Sequence, residues 1–257
     1  SADTYGLTNQ ILNDGETSYA SIQLSQNKYF CLQATIDNVS PASSIRSYIP
    51  GNYNGDSMDN LYNIGGAGNN NQMVAGIINA NSGTTVNFTV NCEASLDGNP
   101  VRIKGLVIAD AESLSSSEEL KVSADGDWKV IEVKKNIGAG SYEIEKNNIA
   151  GTVQEVHLFN GNDNNTAAIT VLSFNETAYD TEANNYEISF NVEVKGAGLT
   201  AIALGLLMPD LDRGDAPESY GEALHIIDNT EFSSDQIPLS TTVNLNTSTY
   251  QICCTSF

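Results

Sequence analysis

The sequence predicts an all-β protein, a jelly roll or β-sandwich of about eleven strands with a strand-bearing C-terminal tail. Three observations carry that prediction. Period-two alternation recurs along the chain, Gly, Asn and Asp turn signals separate the alternating runs, and apolar residues almost nowhere repeat at helical spacing. In 187–194, Ile188, Phe190, Val192 and Val194 fall on one face and Glu187, Ser189, Asn191 and Glu193 on the other. With 257 residues, 40% of them hydrophobic, the chain is long enough to bury a sizeable core.

The elements follow in order. Strands are expected at 19–24 and 29–36, after the Asp14-Gly15 turn. Between 40 and 71 the pattern stops. Gly, Asn, Ser and Asp dominate, and Tyr48, Tyr53 and Tyr62 have no periodic partners. Long loops are uncommon in compact domains, and Tyr among Asn, Ser and Gly is the composition of adaptable recognition surfaces. These three tyrosines are therefore candidate ligand contacts, with packing over a sheet end as the competing reading.

Strands resume at 73–79 and 84–92, split by Asn81-Ser82-Gly83, and at 100–109 after Asp97-Gly98. The strand 128–133 opens on the lone Trp128, a core position by its size. In 152–159, His157 points outward if Val156 and Leu158 point inward. Strands at 167–174, 186–194 and 199–207 complete a first domain, 1–209. The remainder, 210–257, reads as a linker holding RGDAPESYG (213–221) and a last strand at 241–252. Gly214, Pro217 and Gly221 make that string a rigid exit, and Arg213-Gly214-Asp215 is assigned to turn chemistry rather than recognition. The last strand either completes its own sandwich or adds to the open edge of a neighbouring copy, as in a filament.

Charge narrows the partners. There are 32 Asp and Glu against 11 Lys and Arg, a net charge of −21. Such a surface repels phosphate backbones and anionic headgroups, so nucleic acid is not an expected partner. No apolar run approaches the roughly 20 residues of a membrane helix, so membrane insertion is not expected. The start, Ser1-Ala2-Asp3, has no charged and apolar leader pattern and reads either as a mature terminus or as the edge of an excised piece. A secreted or cell-surface location follows.

Four cysteines, Cys31, Cys92, Cys253 and Cys254, fit an oxidising compartment and are candidate disulfide residues. Cys31 and Cys92 lie in strand-like runs and could pair. A direct Cys253–Cys254 bridge is strained, so each is better placed to bond Cys31, Cys92 or a neighbouring molecule.

Nothing predicts catalysis. Only His157 and His225 are present, and no nucleophile elbow, phosphate loop or zinc-helix motif occurs. Calcium is the one cofactor considered. Asp110 and Glu112, two apart at a strand end, could converge on an ion, and Asn160, Asn162 and Asp163 form a second oxygen-rich loop. The competing reading is that these side chains accept backbone N–H bonds in their own loops.

Several phrases share one order: LDGNPVRIKGLVIADAES (96–113), then Glu118 and Glu119, DGDW (125–128), GLTAIALGLLMP (198–209) and the GDAPESYG string. This order resembles the lectin-like second non-repetitive domain of CshA-type bacterial surface adhesins, over roughly Ser18 to Gly221 and most strongly from Val86 onward. The resemblance implies a jelly-roll-like sandwich displayed at a cell surface. It also implies adhesion to an extracellular glycoprotein or glycan.

Overall fold

In a computed structural model, the described residues are 10–25, 27–48, 76–111, 113–135, 140–161, 167–213, 224–227 and 235–245. Their strands run in chain order as β1 (Ile11–Leu12), β2 (Glu16–Ser25), β3 (Lys28–Ser40), β4 (Ile45–Tyr48), β5 (Gly76–Asn79) and β6 (Val86–Leu96). Next come β7 (Asn99–Val101), β8 (Gly105–Asp110), β9 (Glu119–Ala124), β10 (Trp128–Lys135), β11 (Glu143–Ala150) and β12 (Val153–Phe159). The last six are β13 (Ala168–Phe174), β14 (Ile188–Lys195), β15 (Ala201–Leu207), β16 (Asp210–Arg213), β17 (Leu224–Ile227) and β18 (Thr241–Asn244).

They form two antiparallel sheets packed as a sandwich. The seven-stranded sheet has the order β1-β4-β5-β15-β8-β13-β10. The nine-stranded sheet has the order β18-β11-β12-β9-β14-β6-β3-β2, with β7 on β6. The strands β16 and β17 pair as a separate hairpin, joined to the sandwich by the Lys104–Asp210 ion pair at 2.5 Å.

The alternation read from the sequence is the inside–outside pattern of these strands. Ile188, Phe190, Val192 and Val194 are buried on β14 and face Val122 and Leu120 of β9 and Phe88 and Val90 of β6 within one continuous core. Trp128 is fully buried and meets Phe174 edge-on at 5.6 Å, and Phe174 in turn contacts Phe190 at 5.5 Å. The Trp128 indole N–H donates to the Asp125 carbonyl at 3.2 Å, so its polar atom is satisfied within its own turn. Gly105 opens β8 where a Cβ would stand 1.9 Å from the Leu172 carbonyl oxygen, so no other residue fits that crossing.

Strands that the sequence did not reveal have physical reasons for being hidden. In β11 the inward positions are Ile144 and Lys146, and a lysine at a core position breaks the apolar alternation. In β9 only Leu120, Val122 and Ala124 point inward, among Glu119, Lys121 and Ser123. The short β4 lies inside the Gly/Asn-rich stretch that was read as one loop.

Two motif blocks meet in a buried polar network. The Glu118 carboxylate accepts hydrogen bonds from Ser115 N–H at 2.8 Å, Gly198 N–H at 3.1 Å and the Thr200 hydroxyl at 2.6 Å. Asn79 accepts Thr200 N–H at 2.8 Å and donates to the Thr84 and Gly198 carbonyls. Burial alone would raise the Glu118 pKa, but the Thr200, Ser115 and Gly198 donors outweigh it and hold the carboxyl below its ordinary range. Glu118 and Gly198–Thr200 thus act together to close one end of the sandwich.

Residues 235–245 continue the sandwich. The strand β18 pairs with β11 of its own chain, in register Ile144↔Val243, and Ile237 and Leu245 enter the core. The rest of the expected strand, along with Cys253 and Cys254, lies outside the described residues.

Cys31 and Cys92, which could have paired with each other, are free thiols. Register explains it: Cys92 faces Ala34 and Cys31 faces Ser95, so the two cysteines are three residues out of step. A shift of three puts them on opposite faces of the sheet. Burial, assisted by the nearby Glu187 charge, pushes the Cys92 thiol up to about 12.

Candidate functional site

The outer face of the nine-stranded sheet gathers the polar halves of its alternating strands into rows. One row runs Thr242, Glu145, His157, Lys121, Glu193 and Asn87 across β18, β11, β12, β9, β14 and β6. The next runs Asn147, Glu155, Ser123, Asn191, Thr89 and Asp37, ending on β3. His157 points outward as expected, since Val156 and Leu158 are fully buried.

Cross-strand contacts hold most of these groups. His157 lies between Glu145 (Nδ1–Oε1 3.0 Å) and Glu119 (Nε2–Oε2 3.1 Å) and stacks on Phe159 at 4.4 Å. Lys195 meets Glu119 at 2.6 Å, and Lys121 donates to Glu193 at 2.9 Å. The Lys195 hydrogen bond is the main reason that the Glu119 carboxyl sits below its ordinary range.

Between the rows lies an open depression of about 320 Å³, walled by Asn87, Thr89, Lys121, Glu155, Asn191 and Glu193. A bulge in β3 shapes its rim. The β3–β6 register shifts between Asp37 and Ser40, and Asn38 takes φ 55°. The bulge re-aims Asn38, which donates to the Thr89 hydroxyl at 3.2 Å. Thr89 donates onward to Asn191 Oδ1 at 3.0 Å.

Glu155 is a charged member of this wall. Its carboxylate accepts no hydrogen bond from any described residue. Burial raises its pKa most, the Lys121 and His157 charges pull it back, and Glu193 and Glu145 raise it again, leaving it above the ordinary carboxylate range. Lys121 moves upward too: burial opposes this, but its hydrogen bond to Glu193 and the charges of Glu193, Glu155 and Glu119 outweigh burial. The same face carries two exposed aromatic rings at its β2–β3 edge, Tyr19 (57% exposed) and Tyr29 (44%).

The other residues singled out from the sequence lie elsewhere. Tyr48 ends β4 on the far sheet and packs against the small cluster of Ile78, Ala109, Ala111, Ala167, Ala201 and Ala203. Tyr53 and Tyr62 lie outside the described residues. Asp110 is fully buried, and its carboxylate accepts the Tyr142 hydroxyl at 3.2 Å. Its prospective partner Glu112 lies outside the described residues. Asn160 takes φ 54° and donates to Glu143 at 2.6 Å; Asn162 and Asp163 lie outside the described residues. Among the described residues, no three His, Cys, Asp or Glu side chains are grouped to hold a metal ion.

Sequence reasoning missed Tyr19, Tyr29 and Glu155. The signal was present, because all three occupy outward positions of alternating strands. What was lacking was the strand order that brings β12 and β6 onto one face.

One comparison decides the lineage. The family described as surface adhesin CshA non-repetitive domain 2 matches residues 3–208. The chain belongs to this family. As a CshA non-repetitive domain 2, it is a surface-adhesin domain, which implies a cell-surface or extracellular setting and points to a non-enzymatic role. The match ends before the RGDAPESYG string, which lies, apart from Arg213, outside the described residues. No curated protein and no solved structure matches the chain. No helix of the described residues is long and apolar enough to cross a membrane.

Proposed function

We propose that this adhesin domain binds a neutral glycan of an extracellular glycoprotein on the outer face of its nine-stranded sheet. The observation that carries the reading is Glu155, a half-buried carboxylate without a hydrogen-bond donor among the described residues, on the wall of a depression that also presents the amides and hydroxyl of Asn87, Asn191 and Thr89 and the Lys121–Glu193 pair. A carboxylate kept in that condition has free acceptor capacity for ligand hydroxyls. Asn87 and Asn191 add amide groups, and Tyr19 and Tyr29 offer flat apolar surfaces of the kind that adaptable recognition uses. Glu119, Glu145, Glu155 and Glu193 make the face acidic, which disfavours sialylated and sulfated sugars.

The test is binding of the intact protein to immobilised neutral and acidic glycans. Glu155→Gln, which loses a contact to a charged group, is expected to weaken binding to neutral glycans at least about tenfold, and Asn191→Ala, which loses a neutral contact, by up to about tenfold. Unchanged binding by both variants contradicts the assignment of this face.

A filament reading requires β18 to pair in trans. Here β18 is seated on β11 of its own chain. Polymers under negative stain that vanish when residues 241–257 are deleted would favour the filament.

A further inference from the structure

Among the described residues, Lys146 is the one charged side chain among the large, fully buried residues of the core, at 1% exposure. It reaches from β11 to two acceptors, the Trp128 carbonyl and Asp235 Oδ2, the latter at 2.6 Å. An ammonium has three hydrogens, and two acceptors leave one unmet. A desolvated ammonium–carboxylate pair is costly.

The surroundings of Asp235 match the needs of acyl transfer. Its other oxygen, Oδ1, accepts Val130 N–H at 3.0 Å and Ile237 N–H at 3.2 Å. Two backbone donors on one carboxyl oxygen are the arrangement that stabilises a tetrahedral oxyanion. The oxygen facing the amine, Oδ2, is then the leaving group. Asp235 is 23% exposed, so a route for water to leave exists on that side. The nucleophile and carboxyl are held together in advance by the fold, with Gln236 N–H bonded to the Val130 carbonyl and Ser240 N–H to the Lys146 carbonyl.

We propose that Lys146 and Asp235 form an intramolecular isopeptide bond. One proton passes from Lys146 Nζ to Oδ2. The neutral amine attacks Asp235 Cγ, and negative charge develops on Oδ1 under the Val130 and Ile237 N–H groups. A second proton passes from Nζ to Oδ2, the Cγ–Oδ2 bond breaks, and water leaves. The Nζ–Cγ amide retains one hydrogen, donated to the Trp128 carbonyl, and its oxygen keeps both backbone donors. Ammonium plus carboxylate gives amide plus one water, with no oxidant or co-reactant. The bond ties residues 235–245 to β11, next to Trp128 at the start of β10, at the margin where the two sheets meet.

Intact mass of the full chain, reduced and denatured, tests this. The expected mass is lower than that of the unmodified chain by one water, about 18 Da. Proteolysis should release a branched peptide with fragment ions from both segments. Lys146→Arg and Asp235→Ala should each restore the full mass. Asp235→Asn should lose ammonia instead, about 17 Da. A full unmodified mass for the aged, folded protein overturns the proposal, and so does an 18 Da loss that persists in Lys146→Arg, which is dehydration elsewhere.

Discussion

Removing the Glu118 carboxylate tests whether the two motif blocks are joined by its hydrogen bonds. Glu118→Ala leaves three donors without their acceptor: Ser115 N–H, Gly198 N–H and the Thr200 hydroxyl. A buried polar group left unpaired costs about 1–3 kcal/mol. Thr200 is fully buried, whereas Ser115 is half-buried and water can reach it. The sum is therefore set near the lower end, at about 3–5 kcal/mol. For a chain of this size that corresponds to a fall in Tm of roughly 10 °C. Differential scanning calorimetry of both proteins reads the shift, and urea titration reads the free energy at constant temperature.

The pH dependence has a definite sign. The folded Glu118 carboxyl lies below its ordinary range, so its contribution is fully present above the unfolded value, about 4.3. It is lost as pH falls from there through the folded value. Wild type should thus lose Tm more steeply in acid than Glu118→Gln, and the two should converge at low pH. A Glu118→Ala loss below about 1 kcal/mol would refute the reasoning, because it would leave the three donors satisfied without their carboxylate.

Four other perturbations follow. Trp128→Ala empties the centre of the aromatic cluster and should cost about 3–5 kcal/mol, measured by urea unfolding. Gly105→Ala should shift or part β8 and β13, seen as faster amide exchange in both strands, since its Cβ meets the Leu172 carbonyl at 1.9 Å. Cys92, its thiol pushed up to about 12, should resist iodoacetamide at pH 8 in the folded protein and react once unfolded, read by mass spectrometry. Glu155→Gln should leave stability at pH 7 equal or higher while weakening ligand binding, because the charged form of Glu155 is disfavoured in the fold.

The sandwich was legible because alternation in strands such as β14 and β12 is a direct imprint of one buried and one wet face. It failed where the core itself is polar. Lys146 hides β11, and β9 is a short strand with only three inward residues among charged and polar ones. The site was harder to read. Glu155 and Thr89 are ordinary outward residues of strands far apart in sequence, and only the order β12-β9-β14-β6 makes them neighbours. Tyr48 drew attention through loop composition, yet it packs on alanines, because composition reports the chemistry of a segment and not the surface it meets. Cys31 and Cys92 lie on paired strands, but register puts them on opposite faces.

The central claim is that ligand binds the outer rows of the nine-stranded sheet. The most direct measurement is an array of neutral and acidic glycans probed with wild type and with a Glu155→Gln/Asn191→Ala double variant of equal Tm. Wild type is predicted to bind neutral glycans in preference to acidic ones, and the double variant to lose that binding by about tenfold to a hundredfold if the two contacts act independently. Equal binding by both proteins, or no binding of wild type to any neutral glycan, would contradict the claim.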